Sequence, residues 1–127
     1  MKKKEVFKRV AKHLLAQNEA CVTLSDCWYR HPSRVELKCA IGCLIPDKFY
    51  SGEIENKTVE EPIVKEVLKK SLKTSFTSSD IALLKDLQDV HDYQDTKDWR
   101  WRLDALAMSW FDTDLIDMEI YANEQLN

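Results

Sequence analysis

The sequence predicts a mostly helical α+β fold with about five helices and a small β-hairpin near residues 27–40. Apolar residues recur every three or four positions over most of the chain, as they do in amphipathic helices. Two β-prone segments near the front flank a turn that contains Pro32. The length of 127 residues and the apolar content of 44% indicate a single globular domain over residues 1–127.

The first helix is predicted over residues 2–17. Lysines and an arginine fill much of one face, and apolar side chains fill the other. We expect this apolar face to lie in the core. Its residues are Val6, Phe7, Val10, Ala11, Leu14 and Leu15.

The hairpin is predicted where residues 27–30 and 35–39 flank a turn, since Pro32 suits its second position. Alternation predicts one shared face for three residues of the second strand. These are Val35, Leu37 and Cys39. The apolar run 40–45 is a buried strand or short helix, and residues 51–58 are a loop.

Four further helices are predicted, over residues 60–73, 79–93, 97–111 and 113–125. Pro62 suits the first turn of its helix, and Ser78 or Ser79 is the expected cap of the next. The last segment is acidic, but its apolar residues suggest that it packs against the core. No function is predicted for residues 112–127.

Charge is unevenly distributed along the chain. The net charge is −3, but residues 1–73 carry a net +5 and residues 74–127 a net −8. Either both regions are solvated surface, or the basic region attracts a second subunit or presents a cationic site to an anionic ligand. The acidic net charge and the lack of a long basic recognition helix argue against specific binding of duplex DNA.

The chain contains only two glycines, Gly42 and Gly52. This excludes a Walker A loop and a GxGxxG fingerprint, because both need several glycines close together. At Gly42 the missing side chain permits tight packing or close approach of a ligand. No window of 18 apolar residues exists, and the basic start lacks the apolar core of a signal peptide. We expect no membrane span and a cytoplasmic location.

Four cysteines, Cys21, Cys27, Cys39 and Cys43, lie within 23 residues. Their spacing lacks the paired knuckles of most zinc modules, and a disulfide between Cys27 and Cys39 is disfavoured in a reducing cytosol. We therefore expect small apolar core side chains, and metal binding stays open as an alternative. No cofactor is predicted.

His91 and Asp92 form a His-Asp pair, which is a ligand motif in metal phosphohydrolases. His13 and His31 are the only other histidines, too few to favour such a site. If the protein is an enzyme, His91 and Asp92 are the catalytic candidates. Otherwise His91 is a half-buried polar residue on the inner face of its helix, or it contacts a ligand.

Aromatic residues with nearby cations predict a binding site around the hairpin. Aromatic faces can stack a base, and guanidinium or ammonium groups can hold phosphate. The alternative is that the aromatic side chains simply cover the edge of the core. The predicted ligand-binding residues are Trp28, Tyr29, Arg30, Lys38, Asp47, Tyr50 and His91.

The helix predicted over residues 97–111 is apolar on two sides. One side includes Trp99, Leu103 and Trp110, and the opposite side includes Trp101 and Met108. A surface helix of a monomer is apolar on one side only, so this helix is either central in the fold or uses Trp101 and Met108 as a subunit interface. The second alternative is favoured, because Trp, Met and Arg are enriched in interfaces. We expect a homo-oligomer.

Three motifs resemble those of a group of small proteins of tailed bacteriophages and prophages. They are Cys27-Trp28-Tyr29-Arg30, the run KCAIGCLIPD at 38–47 with Tyr50, and LQDVHD at 87–92 with Trp99. The resemblance covers about residues 6–110. It implies an accessory role rather than a structural role in the virion. By analogy, such proteins counter host defences, by sequestering nucleotide signals or by blocking a host enzyme.

The residues and the resemblance together predict a phage accessory protein in the host cytoplasm. It binds an anionic, nucleotide-type small molecule without catalysis. Two alternatives remain. One is a protein–protein inhibitor or adaptor that uses the face around Trp101 to bind a host factor. The other is a small phosphohydrolase that depends on His91 and Asp92.

Overall fold

The computed structural model describes residues 1–24, 26–93 and 95–121. It confirms a mostly helical α+β fold with a two-stranded antiparallel hairpin, and the described residues hold four α-helices instead of about five. The helices are α1 (Lys3–Gln17), α2 (Pro62–Leu72), α3 (Ser78–Asp92) and α4 (Trp99–Phe111). The strands are β1 (Val22–Thr23) and β2 (Asp26–Cys27). Single 3₁₀ turns cover Gly42–Leu44, Asp47–Phe49, Gly52–Ile54 and Thr96–Asp98.

The core is built around α1, α3 and α4, which contact one another. All six residues of the predicted inner face of α1 are buried, and Trp99 at the start of α4 is fully buried. The buried apolar side chains of the described residues form one cluster. None of the helices in this part of the chain combines the length and the apolarity that crossing a membrane requires.

The hairpin strands lie slightly earlier in the chain than the sequence indicated. Val22 pairs with Cys27, whereas the two predicted flanks meet only in a single bridge between Arg30 and Lys38. Val35 is 71% exposed whereas Leu37 and Cys39 are buried, so the expectation that the three residues share one face is wrong. The reason is a turn in which the Leu37 N–H donates to the Arg34 carbonyl, which interrupts the alternation of an extended strand.

The start of α3 is capped one residue before the predicted serines. Thr77 Oγ1 accepts from the Asp80 backbone N–H (3.1 Å), and the Asp80 carboxylate accepts from the Thr77 N–H (2.9 Å). This reciprocal pair is a capping box, in which aspartate takes the usual place of glutamate.

The helix predicted over residues 113–125 is not present in the described part of that segment. Residues 115–119 form turns, and residues 122–125 lie outside the described residues. The segment packs against the core only in part, since Leu115, Met118 and Ile120 are buried whereas Ile116 and Tyr121 are exposed. It is fixed by two tertiary hydrogen bonds, from Arg100 to the Ile120 carbonyl and from the Leu115 N–H to Asp104.

Candidate functional site

A cavity of about 230 Å³ lies between the segment that follows β2 and one face of α3. We call it the Trp28 cavity. It brings together an indole ring, side-chain amides and charges of both signs, which is the mixture of groups found in small-molecule sites. Its lining residues are Cys27, Trp28, Tyr29, Cys39, Asn56, Lys57, Thr58, Val59, Lys85, Gln88, Asp89 and Asp92.

The inner wall of the Trp28 cavity depends on close packing of Tyr29 against Gly42. A β-carbon at Gly42 would lie 1.9 Å from the Tyr29 carbonyl oxygen, so the missing side chain permits tight packing, one of its two predicted roles. The Tyr29 N–H donates to Glu55 (2.8 Å), and its hydroxyl donates to the Lys57 carbonyl (2.6 Å). Tyr29 is buried. Its polar groups are therefore used inside the protein, and it shapes the wall.

Trp28 is the predicted aromatic residue best placed to meet a ligand. It is partly buried, and its indole N–H donates to Thr23 Oγ1 at 2.8 Å. Because this bond satisfies the polar atom of the ring, the remaining indole surface is available for apolar contact. Trp28 lines both the Trp28 cavity and a neighbouring groove.

The neighbouring groove, of about 500 Å³, contains Arg30 and Tyr50, two more of the predicted ligand residues. We call it the Arg30 groove. The Arg30 guanidinium donates to the Ile45 carbonyl (2.8 Å), pairs with Asp47 (2.8 Å) and lies 4.4 Å from the centre of the Tyr50 ring. The structure therefore brings these residues together. However, Asp47 already occupies the position that a ligand phosphate would take on Arg30.

Tyr50 is tied into the same internal network. Its hydroxyl donates to Glu55 Oε2 at 2.6 Å, and this carboxylate also accepts the Arg30 backbone N–H. Burial and the hydrogen bond to Glu55 raise the pKa of Tyr50 to about 12. The predicted polar contact from Tyr50 is thus made within the protein.

Lys38 lines neither the Trp28 cavity nor the Arg30 groove. Its backbone connects the hairpin region to α1. The Lys38 N–H donates to Gln17 Oε1 (3.1 Å), and the Lys38 carbonyl accepts from Gln17 Nε2 (2.8 Å) and lies 3.0 Å from His13 Nε2. The expected phosphate contact by Lys38 beside Arg30 is not formed at either site.

His91 is fully buried and does not line the Trp28 cavity. Its Nε2 accepts from the Cys21 backbone N–H (2.8 Å), so the ring proton lies on Nδ1, which donates to Asp92 Oδ1 (3.1 Å). Both ring nitrogens are therefore engaged. His91 is thus a buried core residue with both ring nitrogens hydrogen-bonded. It is not positioned to act as a general base or to contact a ligand in the cavity.

Asp92 carries the charge of this pair to the cavity. Burial alone would raise its pKa, but hydrogen bonds from His91, Gln88 and Cys27 hold it below its usual range. The neighbouring Asp89 differs, because burial and then the carboxylates of Asp92 and Asp86 raise its pKa. The cavity thus holds one firmly ionised carboxylate beside one that takes up a proton more easily.

The side chains of Cys27, His91 and Asp92 offer ligand atoms within 4.8 Å of one another, which is close enough for a shared metal ion. The protonation of His91 does not fit this role. A metal ion bound to Nδ1 would require the ring proton to lie on Nε2. That proton would then face the Cys21 N–H, from which Nε2 now accepts a hydrogen bond. Ligating histidines usually donate from the second nitrogen. The trio therefore fits a hydrogen-bonded cluster better than a metal site.

The other cysteines behave as core residues. Cys21 donates to the Leu37 carbonyl, Cys43 donates to the Ala40 carbonyl, and Cys21, Cys39 and Cys43 form no disulfide. Burial raises the pKa of Cys21 and Cys43 to about 12, and it raises that of Cys39 well above the ordinary value. These thiols are poor nucleophiles, because the thiolate is the reactive form.

Sequence reasoning missed most of the polar side of the Trp28 cavity. Lys85, Gln88 and Asp89 lie on the face of α3 that also carries Asp92. Their spacing of three, four and seven residues is that of one helix face, so the pattern was present in the sequence. The loop residues 56–59 reach the cavity through tertiary packing and carried no comparable signal.

The predicted interface residues lie at the surface. Trp101 is 56% exposed and Met108 is 53% exposed, while Trp99, Leu103 and Ala107 on the opposite side of α4 are buried. The guanidinium of Arg102 lies over both Tyr93 (3.5 Å) and Trp101 (4.7 Å). We call Tyr93, Trp101, Arg102 and Met108 the Trp101 face.

No known protein family, curated protein or solved structure matches the chain. The resemblance to phage proteins therefore stays a prediction.

Proposed function

We propose that the protein binds a nucleotide-type small molecule in the Trp28 cavity and releases it unchanged. The observation that carries this proposal is the position of Trp28, which lies in one cavity with the acidic face of α3 and with two lysines. An indole can stack on a base, and carboxylates can accept hydrogen bonds from ribose hydroxyls or base amino groups. Asp89 and Asp92 supply those carboxylates.

The size of the cavity indicates how such a ligand would be bound. Its volume of about 230 Å³ lies below the ~300–1,000 Å³ of pockets that enclose a whole drug-sized ligand. A base with its ribose would therefore fill the cavity, and the phosphate groups would remain at its solvent edge. Lys57 and Lys85 line this edge and are both exposed.

Both lysines can exchange their present partners for a phosphate. Lys85 pairs with Glu60 at 3.1 Å, where the two side chains are about half exposed, and Lys57 donates to the Glu53 carbonyl. Exposed ion pairs of this kind contribute less than about 1 kcal/mol. A ligand phosphate that contacts Lys57 and Lys85 together would replace them at little cost.

The proposal of binding without catalysis rests on His91. A phosphohydrolase that used His91 and Asp92 would need His91 to reach the substrate or a metal, but its two nitrogens are held by Cys21 and Asp92. Together with the resemblance to phage proteins, this favours sequestration of a host nucleotide signal. We propose that the chain acts in this way as a counter-defence protein in the cytoplasm of the infected host.

Isothermal titration calorimetry against cyclic dinucleotides, ADP-ribose isomers and nucleoside monophosphates tests the proposal. We expect one member of the panel to bind, and we expect Trp28→Leu and Lys85→Ala to lose most of that binding. The matched controls Trp101→Leu and Lys97→Ala lie outside the cavity and should bind like the wild type. No heat with any member, or unchanged binding by both cavity variants, would contradict the proposal.

The fate of the ligand is tested separately. The bound compound is recovered after denaturation and compared with the starting material by chromatography. We expect it to be unchanged. Formation of a product, together with an Asp92→Asn variant that still binds the compound but leaves it unchanged, would instead establish the phosphohydrolase alternative.

A second candidate function, as a protein–protein inhibitor or adaptor, is favoured by the Trp101 face. Trp101, Met108 and Tyr93 are each more than half exposed, and Trp, Tyr, Met and Arg are enriched in interfaces. Pull-down from host lysate with Trp101→Ala as control tests this function, and sedimentation of the purified chain separates a host partner from self-association. A monomer that captures no partner through Trp101 would argue against it.

A further inference from the structure

A groove of about 510 Å³ lies between the first turns of α1 and the last turn of α2. We call it the α1–α2 groove. It shares no residue with the Trp28 cavity or the Arg30 groove. From α1 it is lined by Lys2, Glu5 and Arg9, and from the end of α2 by Lys73. Three cationic side chains and one carboxylate thus face one volume.

The three cations are free to meet a ligand. Among the described residues, none of Lys2, Arg9 and Lys73 forms an ion pair with another side chain. Lys3 is different, because its ammonium group lies 2.9 Å from the buried Asp80 carboxylate. This contact joins the start of α1 to the start of α3 and leaves Lys3 unavailable to the groove.

The hydroxyl groups of the groove are already used. Ser71 Oγ donates to the Val67 carbonyl (2.7 Å), and Thr74 Oγ1 donates to the Ser75 carbonyl. The groups left to bind a ligand are therefore two ammonium groups and a guanidinium group. This set favours a multiply charged anion over a neutral polar molecule.

We infer that the α1–α2 groove binds a ligand that carries several phosphate groups. With Glu5 ionised, the side chains that line the groove carry a net charge of +2, and the N-terminal ammonium of Met1, which also lines the groove, pairs with Asp80. One isolated carboxylate would not balance this charge. The groove volume lies within the range of pockets that hold whole small ligands. Arg9 can bind a phosphate through two parallel hydrogen bonds, while Lys2 and Lys73 contact neighbouring phosphate groups as point charges.

The position of Lys73 provides a test that does not depend on folding. Lys73 ends α2 in the left-handed conformation with φ 55°, where glycine is the usual residue. Lys73→Gly therefore removes the charge while it relieves the backbone, and the variant should be at least as stable as the wild type. Loss of binding in this variant cannot be explained by unfolding.

The experiment titrates the full chain with sodium tripolyphosphate at low and moderate salt. We expect binding that weakens with salt, and we expect Lys73→Gly and Arg9→Ala each to lower the affinity about tenfold, as for loss of one charge-assisted hydrogen bond. Lys97→Ala and Trp28→Leu, both outside the groove, should bind like the wild type. Absence of binding at low salt, or full affinity in both groove variants, would overturn the inference.

Two further titrations identify the source of the phosphate groups. ATP represents a free polyphosphorylated nucleotide, and a short single-stranded oligonucleotide represents a phosphodiester backbone. Tighter binding of either one, lost in Lys73→Gly and retained in Trp28→Leu, supports the inference and names the source. If Trp28→Leu abolishes the binding of both compounds, they occupy the Trp28 cavity, and the inference is wrong for these ligands.

Discussion

Replacement of Asp80 by asparagine tests the contact that joins the start of α1 to the start of α3. The Asp80 side chain is 2% exposed, Lys3 Nζ lies 2.9 Å from Oδ1, and the Thr77 N–H donates to Oδ2 at 2.9 Å. Asparagine has nearly the same volume and can still accept a hydrogen bond. The substitution therefore removes the charge that faces Lys3 and the Met1 ammonium, and it replaces one of the two accepting oxygens by an NH2 group.

The size of the effect follows from the pKa of Asp80. Burial would raise this pKa, but the Thr77 hydrogen bond and the Lys3 ammonium group lower it from 3.8 to about 2. At about 1.4 kcal/mol per unit, ionisation of Asp80 stabilises the folded state by about 2 kcal/mol. Because the folded-state pKa is the lower one, this stabilisation is complete well above the unfolded pKa and is lost as the pH falls through about 2.

Urea denaturation at neutral pH and near pH 2 measures this stabilisation. We expect Asp80→Asn to lower the free energy of unfolding by about 2 kcal/mol at neutral pH and by well under 1 kcal/mol near pH 2. The control Asp117→Asn changes an exposed carboxylate and should stay within about 0.5 kcal/mol of the wild type at both. Equal destabilisation by Asp80→Asn at the two pH values, or none at neutral pH, would refute the reasoning.

Three other substitutions, with Gly52→Ala as a control, test buried contacts that support the region around the Trp28 cavity and the Arg30 groove. Gly42→Ala should lower the free energy of unfolding by at least about 3 kcal/mol in urea, since its β-carbon meets a backbone oxygen, whereas Gly52→Ala, with open space around it, should change it by less than about 0.5 kcal/mol. His91→Ala should cost about 3 kcal/mol in the same assay, because it leaves a cavity and an unpaired Cys21 N–H. In an ultraviolet titration, Tyr50→Phe should remove a tyrosinate that forms near pH 12. The raised pKa of Tyr50 stabilises the fold below its unfolded value of 10.0, and this contribution is lost as the pH rises through about 12.

The helices could be predicted because their information is local. The apolar spacing of α1 identified the same six residues that the structure buries. The spacing of α4 likewise placed Trp99 and Leu103 on one side of the helix, and both are buried. A period of three to four residues places side chains on one face before any tertiary contact forms, so the pattern and the core agree.

The parts that could not be predicted are those set by distant contacts. The segment after α4 has helical propensity, but Asp112 and Glu119 adopt positive φ values of 53° and 63°. Its path follows the hydrogen bonds that Arg100 and Asp104 make to it, which no local pattern encodes. The position of the hairpin strands also depends on tertiary contacts, because two-residue strands carry too little sequence pattern to fix which residues pair.

The Trp28 cavity is lined by few of the residues that were predicted to bind a ligand. The KCAIGCLIPD run at residues 38–47 gives the physical reason. Its backbone is held by its neighbours: the Ile45 carbonyl accepts from Arg30, Gly42 packs under Tyr29, and both backbone groups of Lys38 bond to Gln17. An arginine that satisfies a buried carbonyl cannot leave it for a phosphate without exposing an unpaired acceptor, which costs about 1–3 kcal/mol.

The same constraint explains why the polar contacts of the proposed site lie elsewhere. Two of the three motifs, residues 27–30 and 38–47, build the wall that supports Trp28 and use their polar groups inside the protein. The third motif, residues 87–92, lies on α3, where Gln88 accepts from the Ile41 N–H and Asp92 accepts from His91. On the same face, Lys85 pairs with the exposed Glu60, and Asp89 is itself exposed. Lys85 and Asp89 can therefore be replaced to suit a different ligand, whereas residues 38–47 cannot be replaced without disturbing the fold. Substitutions of Lys85 and Asp89 should change which nucleotide binds and leave the free energy of unfolding nearly unchanged.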